Sequence, residues 1–454
     1  ILYKYLNFSK IFFIIIKYMS FLLILPNQLF SVNYFPYKPK VVILYEHPQY
    51  FTKYKFNKKK LVMHRASMKM YEDMLIKKGY KVNYKDFNFK EKDLALKNCK
   101  MFDPIDNLSL VNKVDEVFES PNFLLSKEDY GIFREKTDKF FFTSFYNYGK
   151  KITDIIPNIK SQDKNNRERM PKDIKIPKLV NHTKEEKKYI EEAIKYVEKN
   201  FSNNWGNTDN FWCPISHSGA KKWFKDFIKK KFVKFGPYED FIKKNEEFLF
   251  HSGLSCTINI GLLNPSEIIE MIRPLKDKIP INSYEGYVRQ LYWREYQRYC
   301  FLYCDFNKSY FGNKKKLSQK WYDGTLDIEP VDDCIKKAFD FGYLHHINRL
   351  MIIGNFMNLS GISHKEGFRW FMEFSCDSYE WVMYQNVLDM VFFVTGGKTM
   401  RKPYVSSSNY IIKMSDYKKG EWSEKWDKMY QEFMKKHKEK LWKFRYSFPG
   451  LKNL

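Results

Sequence analysis

The pattern of apolar residues changes once along this chain of 454 residues, and that change restricts the fold to two unlike parts. Short apolar runs at residues 21–25 and 41–45 are typical of β-strands. Residues 64–78 carry an amphipathic helical pattern, and residues 81–84 follow as another predicted strand. Strand–helix–strand spacing of this kind predicts a parallel sheet. We therefore expect a doubly wound α/β domain over residues 19–150.

Residues 151–184 are polar and contain several prolines, which is typical of a linker. Beyond them helical periods dominate and convincing strand patterns are rare, so we expect an all-α domain over residues 185–454. The helices predicted within it cover residues 185–199, 219–232, 283–303, 332–355, 364–372 and 422–441.

The first residues fit neither domain. Ile1 is not an initiator, and the apolar run Phe12–Ile16 is too short to span a bilayer. A signal peptide is the alternative, but no small-residue cleavage site follows the run, and Met19 makes a better start. We expect residues 1–18 to be an extension outside the folded core, and the protein to be neither membrane-bound nor secreted.

The chain is strongly basic, with 79 Lys and Arg against 53 Asp and Glu and a net charge of +26. An excess of this size favours a polyanionic partner, most often a nucleic acid. A codon bias towards lysine gives the same sign without any partner. The seven cysteines form no C-x-x-C pair, which suits reduced thiols in a cytoplasmic or nuclear protein.

One predicted helix carries two adjacent histidines and an arginine in an apolar pattern. Residues 342–356 read Gly-Tyr-Leu-His-His-Ile-Asn-Arg-Leu-Met-Ile-Ile-Gly-Asn-Phe. A buried polar group left unpaired costs about 1–3 kcal/mol, so either protein groups or a ligand must lie against this segment. On a helix His345 and His346 point about 100° apart, so the two side chains are expected to face different surroundings.

Three further segments combine polar residues with tight backbone or bulky neighbours. Ser252, Leu254 and Ser255 surround Gly253 at a predicted helix start, where backbone N–H groups can bind phosphate. An ordinary N-cap is the alternative. Arg289 and Trp293 lie four residues apart on a helix and can present one face to a planar ligand, or serve only in structural ion pairs. Asp377 and Asn386 stand among large apolar residues.

Taken in order, these segments resemble the photolyase/cryptochrome superfamily. The motifs are Arg-Gln-x-x-Trp-Arg-Glu-Tyr, His-His-Ile-Asn-Arg-Leu-Met-x-x-Gly-Asn-Phe, Tyr-Glu-Trp-Val-x-x-x-Asn, Lys-Pro-Tyr-x-x-Ser and Met-Ser-Asp-Tyr. Earlier in the chain, Asn-Arg-x-x-Met-Pro at residues 166–171 and Phe-Gly-Pro-Tyr-Glu-Asp at residues 235–240 agree. The resemblance is strongest to the photolyase-related branch of iron–sulfur bacterial cryptochromes and (6-4) photolyases, and it spans about residues 20 to 440.

The resemblance implies FAD in the helical domain and UV-damaged DNA as the partner of a monomeric protein. Photoexcited reduced flavin would donate an electron to a pyrimidine dimer flipped out of the duplex, and a histidine would supply a proton to a (6-4) lesion. His346 aligns best with the active-site histidine, and His345 and Asn386 complete the implied catalytic set. The implied flavin-binding residues are Tyr238, Ser252, Leu254, Ser255, Arg289, Trp293, Glu295, Arg349, Asn355, Asp377 and Asn386. A ribityllumazine antenna would lie at Asn27, Gln28 and Glu46.

The sequence departs from the family pattern at two places. Of the four cysteines that hold the family's cluster only Cys334 is present, and one thiolate cannot hold a cluster that needs four, so we expect no iron–sulfur cluster. Asp389 follows Asn386 at a position where an acid near the flavin would disfavour its anionic reduced form. A light-driven (6-4) repair enzyme is the leading hypothesis. A cryptochrome-like photoreceptor without repair activity and a degenerate DNA-binding homologue are the alternatives.

Overall fold

The structure is a computed structural model that describes residues 20–94 and 96–453. The predicted extension over residues 1–18 lies outside the described residues. The N-terminal part contains a sheet of five parallel strands in the order β3-β2-β1-β4-β5. The strands are β1 (Phe21–Ile24), β2 (Val41–Tyr45), β3 (Lys81–Lys85), β4 (Cys99–Phe102) and β5 (Glu116–Phe118).

The two central strands are buried on both faces, which explains why they appear in the sequence as unbroken apolar runs. In register, Phe21 pairs with Val41 on one side and with Cys99 on the other. The strand order reverses at β1, as in doubly wound folds. The expected α/β architecture is confirmed, with two strands (β4 and β5) beyond those predicted.

The remaining elements are helical, as the second half of the sequence predicts. The helix predicted over residues 64–78 begins earlier, because the Asn57 side chain caps a helix that spans Lys58–Lys77. The other α-helices are Pro48–Phe51, Lys127–Lys136, Phe142–Thr153, Lys184–Asn200, His217–Lys230, Phe232–Phe235, Ser255–Asn259, Pro265–Ile272, Ile281–Tyr303, Lys320–Asp323, Glu329–Phe341, Asn355–Leu359, His364–Phe374, Glu380–Met383, Ser408–Lys413, Glu421–Lys436 and Lys438–Leu441.

The single helix predicted over residues 332–355 is wrong. Helix Glu329–Phe341 ends because Gly342 adopts a left-handed conformation (φ 62°) and its N–H bonds back to the carbonyl of Ala338. A non-helical turn follows, and helix resumes at His346 and passes into a π-helix over Asn348–Gly354. His345 and His346 therefore lie at a helix start, where the 100° argument does not apply.

Both parts share one apolar core, and polar contacts join them. The Asn57 amide donates to the carbonyl of Phe339 over 2.9 Å, and the backbone N–H of Trp381 donates to Asp106 over 2.8 Å. The domain limits at residues 150 and 184 stay predictions. Within the described ranges, none of the helices combines the length and apolarity that a membrane span requires.

Candidate active site

Three histidines meet at the turn that follows Gly342. The ring of His345 stacks on that of His251, with centroids 4.9 Å apart and planes 11° from parallel. The ring of His346 meets His251 edge-on at 5.5 Å. His345 and His251 are buried, whereas 43% of the His346 side chain is exposed. We call His251, His345 and His346 the histidine cluster.

The histidine cluster is short of hydrogen-bond partners. Neither ring nitrogen of His345 has one among residues 20–94 and 96–453, and the same holds for Nε2 of His251. Burial, and after it neighbouring positive charge, lowers the pKa of His345 well below its usual value and that of His251 to about 3. Both rings are therefore neutral at pH 7. Unpaired buried nitrogens of this kind mark a place where a ligand is expected.

Asp240 orients the outermost histidine. Its Oδ1 lies 3.1 Å from Nε2 of His346, and its Oδ2 accepts from Nε of Arg167 at 3.1 Å. Burial alone would raise the pKa of Asp240, but the hydrogen bond and charge of His346 and the charge of Arg167 outweigh it and lower that pKa. An ionised Asp240 binds a proton on Nε2 of His346 and leaves Nδ1 for another partner.

Arg289 lies beside this group and pairs with three carboxylates, although its Nε is buried without a hydrogen-bond partner among the described residues. Its guanidinium is 3.1 Å from Glu239, 3.3 Å from Asp163 and 3.6 Å from Glu285. Glu239 also accepts from the amide of Asn166 at 2.7 Å. Arg289 thus holds a buried acidic network together, and the predicted contact with a flavin or lesion stays a prediction.

A second polar group surrounds Asp377. Its carboxylate accepts from Nη1 and Nη2 of Arg349 at 2.9 and 3.0 Å, from Oγ of Ser255 at 2.6 Å and from Oγ of Ser375. These bonds use all four acceptor positions of a carboxylate. Burial would raise the pKa of Asp377, but Arg349 and the two serines lower it overall. We call Asp377, Arg349, Ser255 and Ser375 the aspartate cluster.

The two clusters are joined by backbone. Nε of Arg349 donates to the carbonyl of Leu344 over 2.7 Å, so the aspartate cluster supports the turn that carries His345 and His346. The Asn259 amide donates to the carbonyl of Asp377 over 2.9 Å. Asn259 in turn accepts from Nε of Arg294 at 3.1 Å, while Nη2 of Arg294 is buried and unpaired.

The segment that begins the short helix Ser255–Asn259 lies between these clusters. Leu254 is buried, and the carbonyl of Ser252 accepts from the indole of Trp223 at 2.6 Å. Gly253 has φ 63°, and a Cβ there would lie 3.1 Å from the Phe248 ring. Tyr238 packs on Phe250, with centroids 5.7 Å apart.

The unpaired buried atoms around this segment allow a test of whether a flavin suits the site. Besides the histidine nitrogens, they include Oδ1 of Asn348 and Nη2 of Arg294. A flavin offers ring nitrogens, carbonyls, hydroxyls and phosphates that can complement both an acceptor and a donor of this kind. Asn348 and Arg294 therefore fit such a cofactor.

Other predicted site residues have protein partners. Trp293 stacks on Phe142 with centroids 3.7 Å apart and planes 6° from parallel. Glu295 is fully buried and accepts from the backbone N–H groups of Leu124 and Leu125 and from the hydroxyl of Tyr130. Both contacts are with the segment 124–142 that precedes the linker. Neither residue touches the histidine cluster by these contacts, and their place beside a flavin stays a prediction.

Two asparagines and an aspartate complete the predicted set. Asn355 bonds Ser406 through both its amide, at 3.0 Å, and its carbonyl oxygen, at 3.3 Å. Asn386 is half-buried in a π-helix over Tyr384–Val391. Asp389 is buried and accepts hydrogen bonds from Thr395 and Thr399. It therefore fixes the loop that contains these two threonines.

The predicted antenna residues lie at the carboxyl ends of β1 and β2. The amides of Asn27 and Gln28 donate to the carbonyls of Pro104 and Phe102 at 2.9 and 2.7 Å. Glu46 is fully buried and accepts from Arg65 (2.9 Å), Tyr196 (2.7 Å), Tyr84 (2.5 Å) and the N–H of Phe87 (3.1 Å). A nearby cleft of about 420 Å³ is lined instead by residues that include Asp103, Asp106 and Arg298.

Cys334 is buried in helix Glu329–Phe341. In the part of the chain that the structure describes, one group of three or more potential metal ligands is found, and it is the histidine cluster without Cys334. The absence of an iron–sulfur cluster stays a prediction.

The sequence analysis did not single out His251, Asp240 or Arg167. Arg167 and Asp240 stand inside the motifs at residues 166–171 and 235–240 that carry the resemblance, and His251 directly precedes the predicted helix start at Ser252. The available signal was therefore position within or beside a motif. The sequence does not show which of these segments, 73 to 106 residues apart, contact one another in the folded chain.

Comparisons with known proteins agree with the fold and the motifs. The family model described as deoxyribodipyrimidine photo-lyase-related protein matches residues 22–108 and 103–213. A (6-4) photolyase of Agrobacterium fabrum is 34% identical over 272 residues, which is 56% of this chain and 53% of that protein. The chain thus spans about half the length of this curated relative.

Two solved structures share the fold. A bacterial class III photolyase from Agrobacterium tumefaciens superposes with a TM-score of 0.59 at 14% identity, covering 92% of this chain and 86% of that one. A cryptochrome from Synechocystis sp. PCC6803 gives a TM-score of 0.58 at 13% identity, with 92% and 89% covered. The α/β sheet followed by a helical part is therefore the architecture of these proteins too.

Proposed function

Because the chain belongs to the photolyase/cryptochrome superfamily, in the branch of deoxyribodipyrimidine photo-lyase-related proteins, we propose that it is a light-dependent flavoprotein that repairs DNA. The lesion that we assign to it is the (6-4) pyrimidine photoproduct, since one of its curated relatives is a (6-4) photolyase. The net charge of +26 supports binding to the phosphates of damaged DNA.

The observation that carries the proposal is the pairing of His346 with Asp240. His346 is the exposed member of an otherwise buried histidine cluster, and the Asp240 carboxylate lies 3.1 Å from its Nε2. A proton donor for a flipped-out base must be both fixed in orientation and open to the substrate. His346 satisfies both conditions, whereas His345 and His251 are neutral and buried.

The chemistry divides between the cofactor and the chain. Bound reduced FAD supplies, on excitation by light, the electron that the lesion requires. In its protonated form His346 carries a proton on each nitrogen, of which Asp240 binds the one on Nε2. The proton on Nδ1 is then available to the hydroxyl that leaves its position in a (6-4) lesion. His345 supports the ring from the buried side.

We place FAD against segments 251–255 and 345–349, where buried polar atoms lack partners. Ser252 and Ser255 face its phosphates, with Tyr238 and Leu254 beside them. Asp377 and Arg349 fix the turn next to the cofactor, and Asn386 takes the position facing its reactive ring nitrogen. We expect this arrangement to work without an iron–sulfur cluster.

The test uses the full chain purified in the dark. We expect a visible flavin spectrum and light-dependent repair of an oligonucleotide with one (6-4) lesion, with no repair in the dark and little repair of a cyclobutane dimer. Flavin without repair of either lesion contradicts the enzyme and favours the photoreceptor. A protein that binds no flavin even when refolded or reconstituted with FAD contradicts both and leaves the degenerate DNA-binding homologue.

A further inference from the structure

The histidine cluster has a property that repair does not use. His251, His345 and His346 each offer one ring nitrogen, and these three atoms lie within 4.8 Å of one another. Three imidazoles around a zinc ion at about 2.0–2.1 Å would have their nitrogens about 3.4 Å apart. The rings of His251 and His345 lie 11° from parallel, so binding requires them to rotate out of the stack until their in-plane lone pairs point at one ion.

The ring nitrogens of the buried histidines are free of protein partners. A histidine binds metal through a ring nitrogen with a free lone pair. Three of the four ring nitrogens of His345 and His251 lack any hydrogen-bond partner among the described residues. Leaving these groups unpaired carries a cost that coordination would remove.

Asp240 supplies the outer contact that is typical of such sites. Metal-binding histidines usually donate their second N–H to a carboxylate, which fixes the ring and raises its basicity. The bond between Nε2 of His346 and Asp240 provides this contact and leaves Nδ1 as the ligand atom. The exposed side of His346 gives the ion a way in.

The surrounding charges are compatible with a divalent ion. Asp240 and Glu239 lie on one side of the cluster, and Lys231, Lys337 and Arg349 are the cations that face it. Arg349 is neutralised by its two bonds to Asp377. Burial lowers the pKa of Lys231 to about 8, which weakens its positive charge near the cluster.

We propose that the histidine cluster binds one divalent transition-metal ion through three imidazoles, with a fourth position open to water or substrate. Imidazole ligands and a three-histidine set suit Zn²⁺, Co²⁺, Ni²⁺ or Cu²⁺ rather than Mg²⁺ or Ca²⁺. The inference goes beyond DNA repair and does not depend on it, because the ion binds in the dark and without DNA. When bound, the ion occupies Nδ1 of His346 and removes it as a proton donor.

The test measures metal binding directly on the full chain, without a polyhistidine tag and after removal of metals by a chelator. Zn²⁺ alone is titrated in the dark by calorimetry, and Co²⁺ alone is titrated with a visible spectrum as the readout of tetrahedral nitrogen coordination. We expect one ion per chain. Asp240→Asn should weaken binding about 10–100-fold through its loss as an outer contact.

Ligand variants assign the ion to its residues. His251→Phe and His345→Phe replace buried histidines but keep a planar ring in the stack. His346→Ala changes an exposed side chain, so it tests the site even if a variant of a buried histidine fails to fold. Each should abolish the one-to-one binding and the Co²⁺ spectrum. His364→Ala, at the start of another helix, is the matched control and should bind as the unmodified chain does.

Two results would overturn the inference. One is a chain that binds neither ion in a one-to-one ratio. The other is a His346→Ala variant that keeps the same affinity and Co²⁺ spectrum, which would place the ion elsewhere. Light-dependent repair is measured separately, so failure of the metal site leaves the proposed repair function standing, and failure of repair leaves the metal site standing.

Discussion

The histidine cluster and the aspartate cluster lie on either side of one turn and differ in how their polar groups are satisfied. Asp377 uses all four acceptor positions on protein donors, whereas His345 has no partner for either ring nitrogen within the described residues. Since buried polar groups in folded proteins are nearly always paired, the saturated cluster is a structural support. The histidine cluster, whose nitrogens lack partners, marks the side of the turn where a ligand is expected.

The largest expected effect on stability concerns the aspartate cluster. Asp377→Asn keeps the shape of the side chain but leaves the guanidinium of Arg349 without its counter-charge, and both side chains are largely buried, at 10% and 17% exposed. We expect the free energy of unfolding to fall by about 3–5 kcal/mol, the usual cost of breaking a buried pair. Urea unfolding near pH 7 measures it. A loss below about 1 kcal/mol would show that Asp377 is not a support.

The second effect on stability concerns the histidine cluster and depends on pH. Folding lowers the pKa of His251 to about 3 and that of His345 well below its usual value, whereas both titrate near 6.5 in an unfolded chain. Their contribution to stability is therefore full above about pH 6.5. It is lost as the pH falls towards 3, by about 1.4 kcal/mol per pH unit for each histidine.

Urea unfolding between about pH 7 and pH 5 measures this slope. His251→Phe removes one of the two titrating groups. It should therefore reduce the change of unfolding free energy with pH by the contribution of one histidine. A slope that is the same in the variant and the unmodified chain would contradict the neutral, buried state assigned to His251.

A third effect concerns the turn that separates the clusters. A Cβ on Gly342 would lie 2.6 Å from Sγ of Cys376, and one on Gly312, with a similar φ of 68°, would meet nothing within 4 Å. Both alanine substitutions cost about 1–2 kcal/mol in backbone conformation. We expect Gly342→Ala to cost about 1–3 kcal/mol more because of the overlap. Equal losses in unfolding free energy would mean that the turn tolerates the added methyl.

The smallest effect comes from a pair on the surface. Glu185 and Lys77 lie 3.4 Å apart with 58% and 71% of their side chains exposed. Glu185→Gln should change the unfolding free energy by less than about 0.5 kcal/mol, since solvent screens such pairs. A change as large as that of Asp377→Asn would remove the contrast on which the comparison of clusters depends.

The sequence predicts the architecture because buried strands and amphipathic helices leave strong local patterns. β2 is buried throughout and β1 is buried except at the half-buried Phe21, and both stand out as apolar runs. β4 and β5 are not visible, since they are short and carry Lys100 and Glu116 in their pairing register. Gly342 ends a helix as Gly79 does, but the apolar pattern continues past it and suggests one unbroken helix.

The candidate site is only partly predictable, because its state depends on contacts between distant segments. The motifs identify His345, His346 and Asp377 as polar residues in apolar surroundings. They do not show that Ser255 and Arg349 saturate Asp377, or that His251 stacks on His345. Such pairings span about 30 to 120 residues of sequence and appear only in the folded chain.

The most direct measurement is light-dependent repair of a (6-4) oligonucleotide by His346→Ala beside His364→Ala as the control. His346 is exposed and Asp240 keeps its bond to Arg167, so the variant should unfold like the unmodified chain. We predict that its repair rate falls about 10²–10⁴-fold, the usual contribution of a positioned acid, while His364→Ala repairs normally. Repair by His346→Ala at the unmodified rate would contradict the account.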